Sequence, residues 1–352
     1  MNSTKDALLS MLKARGALSV HEFMEFCLTD PIFGYYQKKP VLGQKGDFVT
    51  SPEISQMFGE LIGLWLAQCW IEQGRPSKFT LLELGPGRGT LLNDVLRATK
   101  KVTGFHEAMQ ILLFEASKRL NEIQQIKLQK FNVEWQEDLR SLPLQPLFFI
   151  ANEFFDALPI RQFQRKGDIW FERQIKIEDD KLIFSYSRQP AMVPQYISQR
   201  YDLVDGDIVE FCPYGLEYCE LLSKNIEAQG GIGIIIDYGD WLSRGDTLQA
   251  TKDHRAVDIF KAPGDSDLTA HVDFAALASS TCNAMSVLTK QGIFLERIGI
   301  TERAKALSSF LEGEALKIHI AAHKRLTHPD EMGNHFKVMA IYPSSVKRPT
   351  GF

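Results

Sequence analysis

The chain has 352 residues, of which 44% are hydrophobic and 24% charged, a composition typical of soluble globular proteins. Its 40 basic and 44 acidic side chains give a formal net charge of −4, which argues against a nucleic-acid partner or an anionic membrane surface. The five cysteines form no CxxC pair and are predicted to be reduced thiols, and no apolar stretch reaches the roughly 18 residues that a membrane span requires.

The first 78 residues carry helical patterns and are predicted to form an N-terminal helical region. An amphipathic helix at the N-terminus directs Leu8 and Leu12 inward. It contains Asp6 and continues directly into patterned sequence, which argues against a transit peptide and for a cytoplasmic location. A further helix begins near Ser51, and its apolar residues recur every three or four positions, so it is expected to pack on a large surface.

From Phe79 the pattern changes to alternating strands and helices, which predicts an α/β domain over residues 79–352 with helices on both faces of an open, mostly parallel sheet. Seven apolar runs are predicted as its strands, because strands buried on both faces are almost continuously apolar. They are FTLLEL, QILLFE, FNVEW, LFFIAN, GIGIIID, GIFLER and FKVMAIY.

Two intervals depart from this pattern. Residues 161–190 alternate polar and apolar side chains with turn signals at Gly167 and at Asp179-Asp180, and predict an antiparallel β meander within an insertion at about 161–212. The exposed strand edges of the meander allow two subunits to pair as a homodimer. Residues 240–269 are polar and rich in Gly, Asp and Pro, which predicts a long loop that acts as a lid or a docking surface for substrate.

The segment LLELGPGRGT, residues 81–90, places three glycines directly after the first predicted strand. Residues without side chains let a ligand approach the backbone, and the amides at the start of the next helix lie nearby. A dinucleotide fingerprint requires GxGxxG, but the last position of that pattern is Thr90. The spacing GxGxG after an acid favours S-adenosylmethionine (SAM), with a dinucleotide and a glycine turn without ligand as alternatives. The predicted cofactor contacts are Glu83, Gly85, Pro86, Gly87 and Gly89.

Two further acids follow the next two predicted strands. Glu115 ends the second strand, where a carboxylate can accept hydrogen bonds from both hydroxyls of a ribose. Asp138 and Leu139 follow the third strand and suit the amino group and the ring of adenine. Either acid alone is commonly a solvated surface charge. Together they are predicted to bind the nucleoside, because open α/β sheets bind ligands at the carboxyl ends of their strands.

The fourth predicted strand ends in IANEFFDALP. Asn152 and Glu153 are expected across the crevice from the methionine part of the cofactor, with Asp156 one turn further on. An amide and two carboxylates in that position can bind a basic nitrogen and orient its lone pair toward the methyl group. The alternative is structural, with Asn152 capping a short helix and Asp156 binding loop amides.

The motifs NEFFDALP, GDFVTSPEISQMFGE, LELGPGRGTL, IIIDYG and HVDF together resemble those of the MidA-like family of SAM-dependent methyltransferases. The resemblance extends from about Gly16 to Tyr342. It implies a class I, Rossmann-like methyltransferase fold that binds SAM, releases S-adenosylhomocysteine and methylates a protein arginine. It also implies that the segment around Asp47 to Glu53 closes over the site, with Ser51 and Glu53 near the cofactor.

Mitochondrial members of the MidA-like family methylate an arginine of a respiratory complex I subunit and assist the assembly of that complex. The present chain lacks their long N-terminal import extension, so it resembles a bacterial member. For a bacterial member the complex I subunit is one candidate substrate among other proteins.

Arginine chemistry agrees with the acids of the predicted site. A guanidinium stays protonated and delocalises its charge, so transfer requires carboxylates that localise this charge away from the attacking nitrogen and finally accept a proton. Glu153 and Asp156 are the predicted pair, followed by Asp237 in IIIDYG and His271 in HVDF. No cluster of His, Cys and carboxylates has metal-ligand spacing, so no metal is predicted.

Three functions are therefore compared. The leading one is a SAM-dependent protein arginine methyltransferase. The second is a SAM-binding assembly factor or scaffold for a respiratory complex, with little catalysis. The third is an NAD(P)-dependent oxidoreductase, which Thr90 disfavours.

Overall fold

The computed structural model describes residues 3–38, 50–200 and 202–352. The helices are α1 (Thr4–Arg15), α2 (Val20–Thr29), α3 (Tyr35–Lys38), α4 (Ser51–Ile54), α5 (Gln56–Glu72), α6 (Thr90–Thr99), α7 (Phe105–Ala108), α8 (Lys118–Lys127), α9 (Gln195–Ser198), α10 (Pro213–Gln229), α11 (Phe274–Ser279), α12 (Gln291–Arg297), α13 (Ile300–Ser308), α14 (Gly313–Thr327) and α15 (Met332–His335). A single turn of 3-10 helix covers Leu139–Ser141. No helix of these described ranges combines the length and the apolar character needed to cross a bilayer.

The strands are β1 (Ala17–Ser19), β2 (Phe79–Leu84), β3 (Met109–Phe114), β4 (Val133–Gln136), β5 (Leu147–Asn152), β6 (Arg161–Lys166), β7 (Ile169–Glu178), β8 (Lys181–Tyr186), β9 (Ile208–Phe211), β10 (Gly231–Asp240), β11 (Gln249–Lys252), β12 (Arg255–Val257), β13 (Asp267–Thr269), β14 (Val272–Asp273), β15 (Met285–Lys290) and β16 (Phe336–Tyr342). By its internal contacts the chain divides into two units. The first consists of Met1–Phe48, Asp156–Glu217 and Asp240–Ser279, and the second of Val49–Phe155, Tyr218–Gly239 and Ser280–Phe352. The domain bounds expected from the sequence, 1–78 and 79–352, stay a prediction.

In the second unit, seven strands of one sheet lie in the order β15-β16-β10-β5-β2-β3-β4. β2 pairs in parallel with β3 and β5, β3 with β4, and β5 with β10. β16 is antiparallel to both of its neighbours. Every residue of β2 and β5 is buried, as expected of parallel strands that are covered on both faces. The mostly parallel α/β sheet predicted from the sequence is confirmed.

The apolar stripe of α5 packs into the main core of this unit. Its Phe58 and Ile62 are fully buried in one cluster with Leu92 of α6. The two helices approach closely because Gly63 has no side chain: a Cβ at this position would lie 2.8 Å from Cα of Val95. The same cluster includes side chains of β2, β3 and β5, so α5 and α6 cover one face of the parallel sheet.

One predicted strand is wrong. Residues 292–297, GIFLER, belong to helix α12, and the strand of this region is β15, residues 285–290. Phe294 and Leu295 are fully buried whereas Ile293 is 43% exposed, which is the distribution of one apolar helix face. A Cβ at Gly292 would lie 2.4 Å from the carbonyl oxygen of Thr327, so the helix lies tightly against the end of α14.

The first unit contains the antiparallel meander predicted for residues 161–190. β6, β7 and β8 pair in sequence, with turns at Gly167 and at Asp179-Asp180. Both aspartates have positive φ, 48° and 58°, which suits the tight hairpin turn expected between twisted strands. β7 also pairs with β1 and β6 with β9. The expected long loop over 240–269 is wrong in part, because β11 pairs there with β12 and β13.

Candidate cofactor site

The carboxyl edge of the parallel strands brings together the acids and glycines singled out in the sequence. The register of β2, β3 and β5 places Gly85, Glu115 and Asn152 at one level, just beyond the last residues that pair across all three strands. Side chains two residues apart along a strand share a face, so Glu83, Glu115 and Asn152 all lie on the same face. This is the face covered by α5 and α6.

The glycine turn follows β2 directly. Gly85, Gly87 and Gly89 have φ of 62°, 52° and 71°, in the left-handed region that favours glycine. At Gly85 the bare backbone also serves packing, since a Cβ would lie 2.7 Å from Cδ2 of Phe154. The amide of Gly89 donates to the carbonyl of the buried Pro86 at 2.7 Å and closes the turn before α6. Gly85 and Gly87 are partly exposed, so a ligand can approach their backbone.

A carboxylate oxygen and an amide oxygen that are buried at this edge lack a hydrogen-bond partner within the described residues: Oε2 of Glu83 and Oδ1 of Asn152. Glu83 is 3% exposed, and its carboxylate accepts one backbone amide, from Leu92. Burial, reinforced by the nearby negative charge of Glu115, raises the pKa of Glu83 to about 8. Nδ2 of Asn152 donates to Oε1 of Glu153 at 3.2 Å, so its carbonyl oxygen remains available. Both oxygens are acceptors that a positively charged donor would satisfy.

The carboxylate of Glu115 is held by backbone and side-chain donors of the protein. The backbone amide of Ser117 donates to its Oε1 at 2.9 Å, and the side-chain amide of Gln124 donates to its Oε2 at 3.2 Å. Burial raises the pKa of Glu115 to about 7, although these hydrogen bonds act in the opposite direction. Sequence reasoning missed Gln124, since nothing in the pattern of α8 distinguishes it from the exposed Gln125 beside it.

Glu153 lies immediately after β5 in a strained conformation. Its φ of 51° is unusual for a residue with a side chain, and such strain is frequent at functional sites. Its Oε1 accepts hydrogen bonds from the backbone amide of Ser51 at 2.8 Å and from Asn152. Burial raises the pKa of Glu153, with the hydrogen bonds from Ser51 and Asn152 opposing this rise. The side chain therefore favours the protonated form more than an exposed glutamate does.

The short helix α4 connects to the glycine turn through Glu53. Oε1 of Glu53 accepts from the hydroxyl of Thr90 at 2.7 Å, and its Oε2 lies 3.4 Å from Nη1 of Arg88. The hydroxyl of Thr90 also accepts from Nζ of Lys127 at 2.6 Å. Ser51 and Glu53 thus contact groups at the strand edge. Their expected place near the cofactor stays a prediction, and Asp47 lies outside the described residues.

Asp138 and Leu139 follow β4 at the same edge of the sheet. Oδ1 of Asp138 accepts from the backbone amide of Arg140 at 2.9 Å and begins the 3-10 turn. The carboxylate is exposed and has further acceptor positions, and Leu139 is buried. Their roles toward adenine stay a prediction.

Asp237 is fully buried at the end of the apolar part of β10. Its Oδ2 accepts from the amide of Phe155 at 3.0 Å, and its Oδ1 from the amide of Tyr238 at 2.9 Å. Two backbone donors compensate the charge of this carboxylate. The hydrogen bond to Phe155 fixes the backbone that follows Glu153.

Asp156 and His271 belong to the first unit. Asp156 is buried, and its carbonyl oxygen accepts from the amide of Ala270 at 2.9 Å. The pKa of the partly buried Tyr36 is raised, first by removal of its hydroxyl from solvent, then by the charge of a neighbouring aspartate, and further by the charge of Asp156. His271 is exposed, and its amide donates to the hydroxyl of Thr247 at 2.9 Å. The catalytic roles expected for Asp156 and His271 stay predictions.

The residues of the strand edge fit SAM. The cofactor has an ammonium group, which the unpartnered oxygens of Glu83 and Asn152 can accept, and a ribose with two hydroxyls, which Glu115 can accept. The left-handed glycines leave the backbone open to close approach. Within the described ranges, no group of three or more His, Cys, Asp or Glu side chains is arranged to hold a metal ion.

Comparison with known proteins agrees with this fit. A family model for S-adenosyl-L-methionine-dependent methyltransferases matches residues 61–293. A relative from Xenopus laevis, "Protein arginine methyltransferase NDUFAF7, mitochondrial", is 35% identical over 98% of this chain and 85% of its own length. The Homo sapiens protein of the same name is 35% identical over 96% of this chain and 82% of its own length.

A crystal structure of a COG1565 superfamily member from Burkholderia thailandensis, bound to S-adenosyl-homocysteine, has the same fold, with a TM-score of 0.84 at 24% identity over 99% of this chain and 93% of that chain. This likeness confirms the class I, Rossmann-like architecture expected from the motifs. The family model alone covers well over half of the residues. The chain therefore belongs to this family of SAM-dependent methyltransferases, the MidA-like family that its motifs resemble.

Proposed function

We propose that this methyltransferase transfers a methyl group from SAM to an arginine side chain of a protein substrate. The relatives from Xenopus laevis and Homo sapiens are named protein arginine methyltransferases, and each aligns with nearly the whole chain. The observation in the molecule that carries the proposal is Glu153, a half-buried glutamate on a left-handed backbone at the strand edge, with a carboxylate that accepts from Ser51 and Asn152.

Glu153 has the properties that an arginine acceptor site requires. When bound, SAM supplies a methyl group on a positively charged sulfur, which becomes a neutral thioether as the methyl leaves. A carboxylate beside the guanidinium holds its charge away from the attacking nitrogen and takes the proton that this nitrogen loses. Burial raises the pKa of Glu153, which makes it a stronger proton acceptor than an exposed glutamate.

Other side chains support Glu153 in this proposal. The amide of Ser51 and Nδ2 of Asn152 fix the orientation of its carboxylate. Asp237 holds the following backbone through the amide of Phe155, so we assign it a positioning part rather than contact with the arginine.

The substitution Glu153→Gln tests this assignment. It keeps the hydrogen-bonding length of the side chain, so the dissociation constant for SAM should stay within about twofold of the wild-type value. Methyl transfer from labelled SAM to proteins of a cell extract should fall by about 100-fold or more, since general acid–base groups contribute that much. Glu137→Gln, at an exposed position, is the matched control and should transfer normally.

Full transfer by Glu153→Gln would move the acceptor role to another residue. Absence of any labelled protein with the wild-type enzyme, under conditions where SAM binds, would instead favour the assembly factor or scaffold. Separate measurements of the equilibrium binding of SAM and of NAD distinguish a methyltransferase from the NAD(P)-dependent oxidoreductase.

The protein substrate, the oligomeric state and the cellular location of this enzyme are also matters for experiment. Three expectations stay predictions: that the substrate is a respiratory complex I subunit, that two subunits pair, and that the protein is cytoplasmic. The relatives carry "mitochondrial" in their names, which is a property of those proteins. Mass spectrometry of the proteome with and without this enzyme would identify the substrate as an arginine whose methylation disappears, and size-exclusion chromatography with light scattering would measure the oligomeric state.

A further inference from the structure

Gln124 of α8 is fully buried and hydrogen-bonded to three separate parts of the strand edge. Its Nε2 donates to the carbonyl of Gly87 at 2.7 Å and to Oε2 of Glu115 at 3.2 Å. Its Oε1 accepts from Nε1 of Trp135 at 2.8 Å. One side-chain amide thereby joins the glycine turn, the acid that follows β3, and β4.

The partners of Gln124 leave its amide only one orientation. The indole nitrogen of Trp135 can only donate, so Oε1 has to face it. Both N–H bonds of Nε2 then point to acceptors, a carbonyl oxygen and a carboxylate. The opposite orientation would set two donors against each other at Trp135 and an oxygen against the carboxylate of Glu115. The amide therefore fixes the distance between Gly87 and Glu115.

We propose that Gln124 is a positioning residue of the cofactor site, which holds the carboxylate of Glu115 and the carbonyl of Gly87 in the geometry that the nucleoside of SAM requires. This inference rests on the proposed function. Ser117 donates to Oε1 of Glu115 and Gln124 to Oε2, and the backbone amide of Ala116 is a further donor to this carboxylate. A carboxylate has about four acceptor positions, so acceptor capacity remains for a ribose hydroxyl.

The contribution of Gln124 can be measured through the pH dependence of SAM binding, because its amide affects the ionisation of Glu115. Glu83 on β2 lies near Glu115 and carries the same negative charge once it ionises, while the cations Arg88 and Lys127 contact other groups of the edge. Burial raises the pKa of Glu115 to about 7, and the amide of Gln124 opposes this rise because it binds the ionised form. Without the amide the pKa rises further, and SAM binding that depends on the ionised form moves to higher pH.

The test compares Gln124→Met with Gln125→Met in the full-length protein. Met has a similar length without the hydrogen bonds, and Gln125 is the exposed neighbour on the same helix. The dissociation constant for SAM is measured by calorimetry from pH 6 to pH 9, with thermal unfolding as the check of folding. Gln124→Met should weaken binding about tenfold or more at pH 7. The loss should shrink toward pH 9, so that the midpoint of the pH profile rises by about one unit. Gln125→Met should match the wild-type protein.

A double-variant cycle separates positioning from general stability. Because Gln124 is argued to act through Glu115, adding Gln124→Met to Glu115→Ala should change the dissociation constant by less than about twofold. An undiminished loss in that background, or a loss equal at every pH, would overturn the inference. Such results are what a structural contribution of Gln124 would produce.

A second variant covers the case in which Gln124→Met does not fold. Trp135→Phe keeps an aromatic ring and removes the donor that orients Oε1. It should raise the same pH midpoint by a smaller amount, and an unchanged midpoint would contradict the role of Gln124. If the wild-type protein itself does not bind SAM, the proposed function fails and this role with it. If instead the wild-type protein and Gln124→Met both bind SAM normally, only the role of Gln124 is overturned and the proposed function stands.

Discussion

The buried carboxylate of Glu83 connects the stability of the protein to cofactor binding. The substitution Glu83→Gln keeps the shape of the side chain and removes its charge. Burial and the negative charge of Glu115 raise the pKa of Glu83 to about 8, whereas a glutamate in an unfolded chain has a pKa of about 4.3. Between these two values the folded protein holds a proton that the unfolded chain has released. The free energy of unfolding contributed by Glu83 therefore falls as the pH rises toward 8.

The size of this effect follows from the two pKa values. One unit of pKa corresponds to about 1.4 kcal/mol, so the whole difference amounts to about 5 kcal/mol above pH 8. Adjustment of the site around the charge reduces it, and we expect Glu83→Gln to become more stable than the wild-type protein by roughly 2 to 5 kcal/mol between pH 5 and pH 8.5. Glu115 titrates in both proteins and is coupled to Glu83, so the measured difference belongs to the pair.

Urea denaturation at a series of pH values measures this difference, with Glu137→Gln as an exposed control. The same substitution should weaken SAM about tenfold to 100-fold, because its ammonium group loses a charged hydrogen-bond partner. Wild-type protein should also release a proton on binding SAM near pH 7, since the ammonium stabilises the ionised carboxylate. Parallel stability curves for Glu83→Gln and wild-type protein, or equal affinities for SAM, would refute this account of the site.

Three further substitutions test the same edge by SAM calorimetry and thermal unfolding. Glu115→Ala should weaken SAM by about 1 to 3 kcal/mol through lost hydrogen bonds to the ribose, and an unchanged dissociation constant would remove it from the site. Gly87→Val should abolish detectable binding, because a β-branched residue avoids a φ of 52°, and wild-type affinity in a folded variant would contradict this. Glu53→Gln should lower the melting temperature and weaken SAM less than Glu115→Ala, because its partner Arg88 is 41% exposed and such a pair contributes about 0 to 1 kcal/mol. A loss of affinity larger than that of Glu115→Ala would assign Glu53 a direct contact.

The strands of the sheet could be predicted where burial on both faces left a clear apolar run. Residues 147–152 and 336–342 are examples, and both are strands with those bounds. Residues 292–297 were wrongly predicted as a strand, because a short apolar run is equally consistent with a buried helix and its length does not distinguish a strand from a helix. The true strand, 285–290, is at most half buried and begins with the exposed Met285, so its apolar signal is weak.

The candidate site could be predicted only as far as local spacing reaches. When two parallel strands are neighbours, the residues that follow them lie side by side in the sheet, independently of how the helices pack. Gly85 and Glu115 could therefore be predicted from the sequence. Gln124 contacts the site because of the rotation of α8, which no periodicity specifies to a single residue. The two backbone donors to Asp237 depend equally on how the chain leaves β5.

The acids of the strand edge differ in how the protein compensates their charge. Asp237 receives two backbone amides, and Glu53 receives a hydroxyl and a guanidinium. Glu83 keeps one oxygen without a partner in the described part of the chain, beside the negative charge of Glu115. An incompletely bonded buried carboxylate costs free energy until a ligand supplies the donor. A pyrophosphate would instead add negative charge beside Glu83. The glycine turn of this chain is therefore suited to a cationic ligand rich in donors, such as SAM, rather than to a dinucleotide.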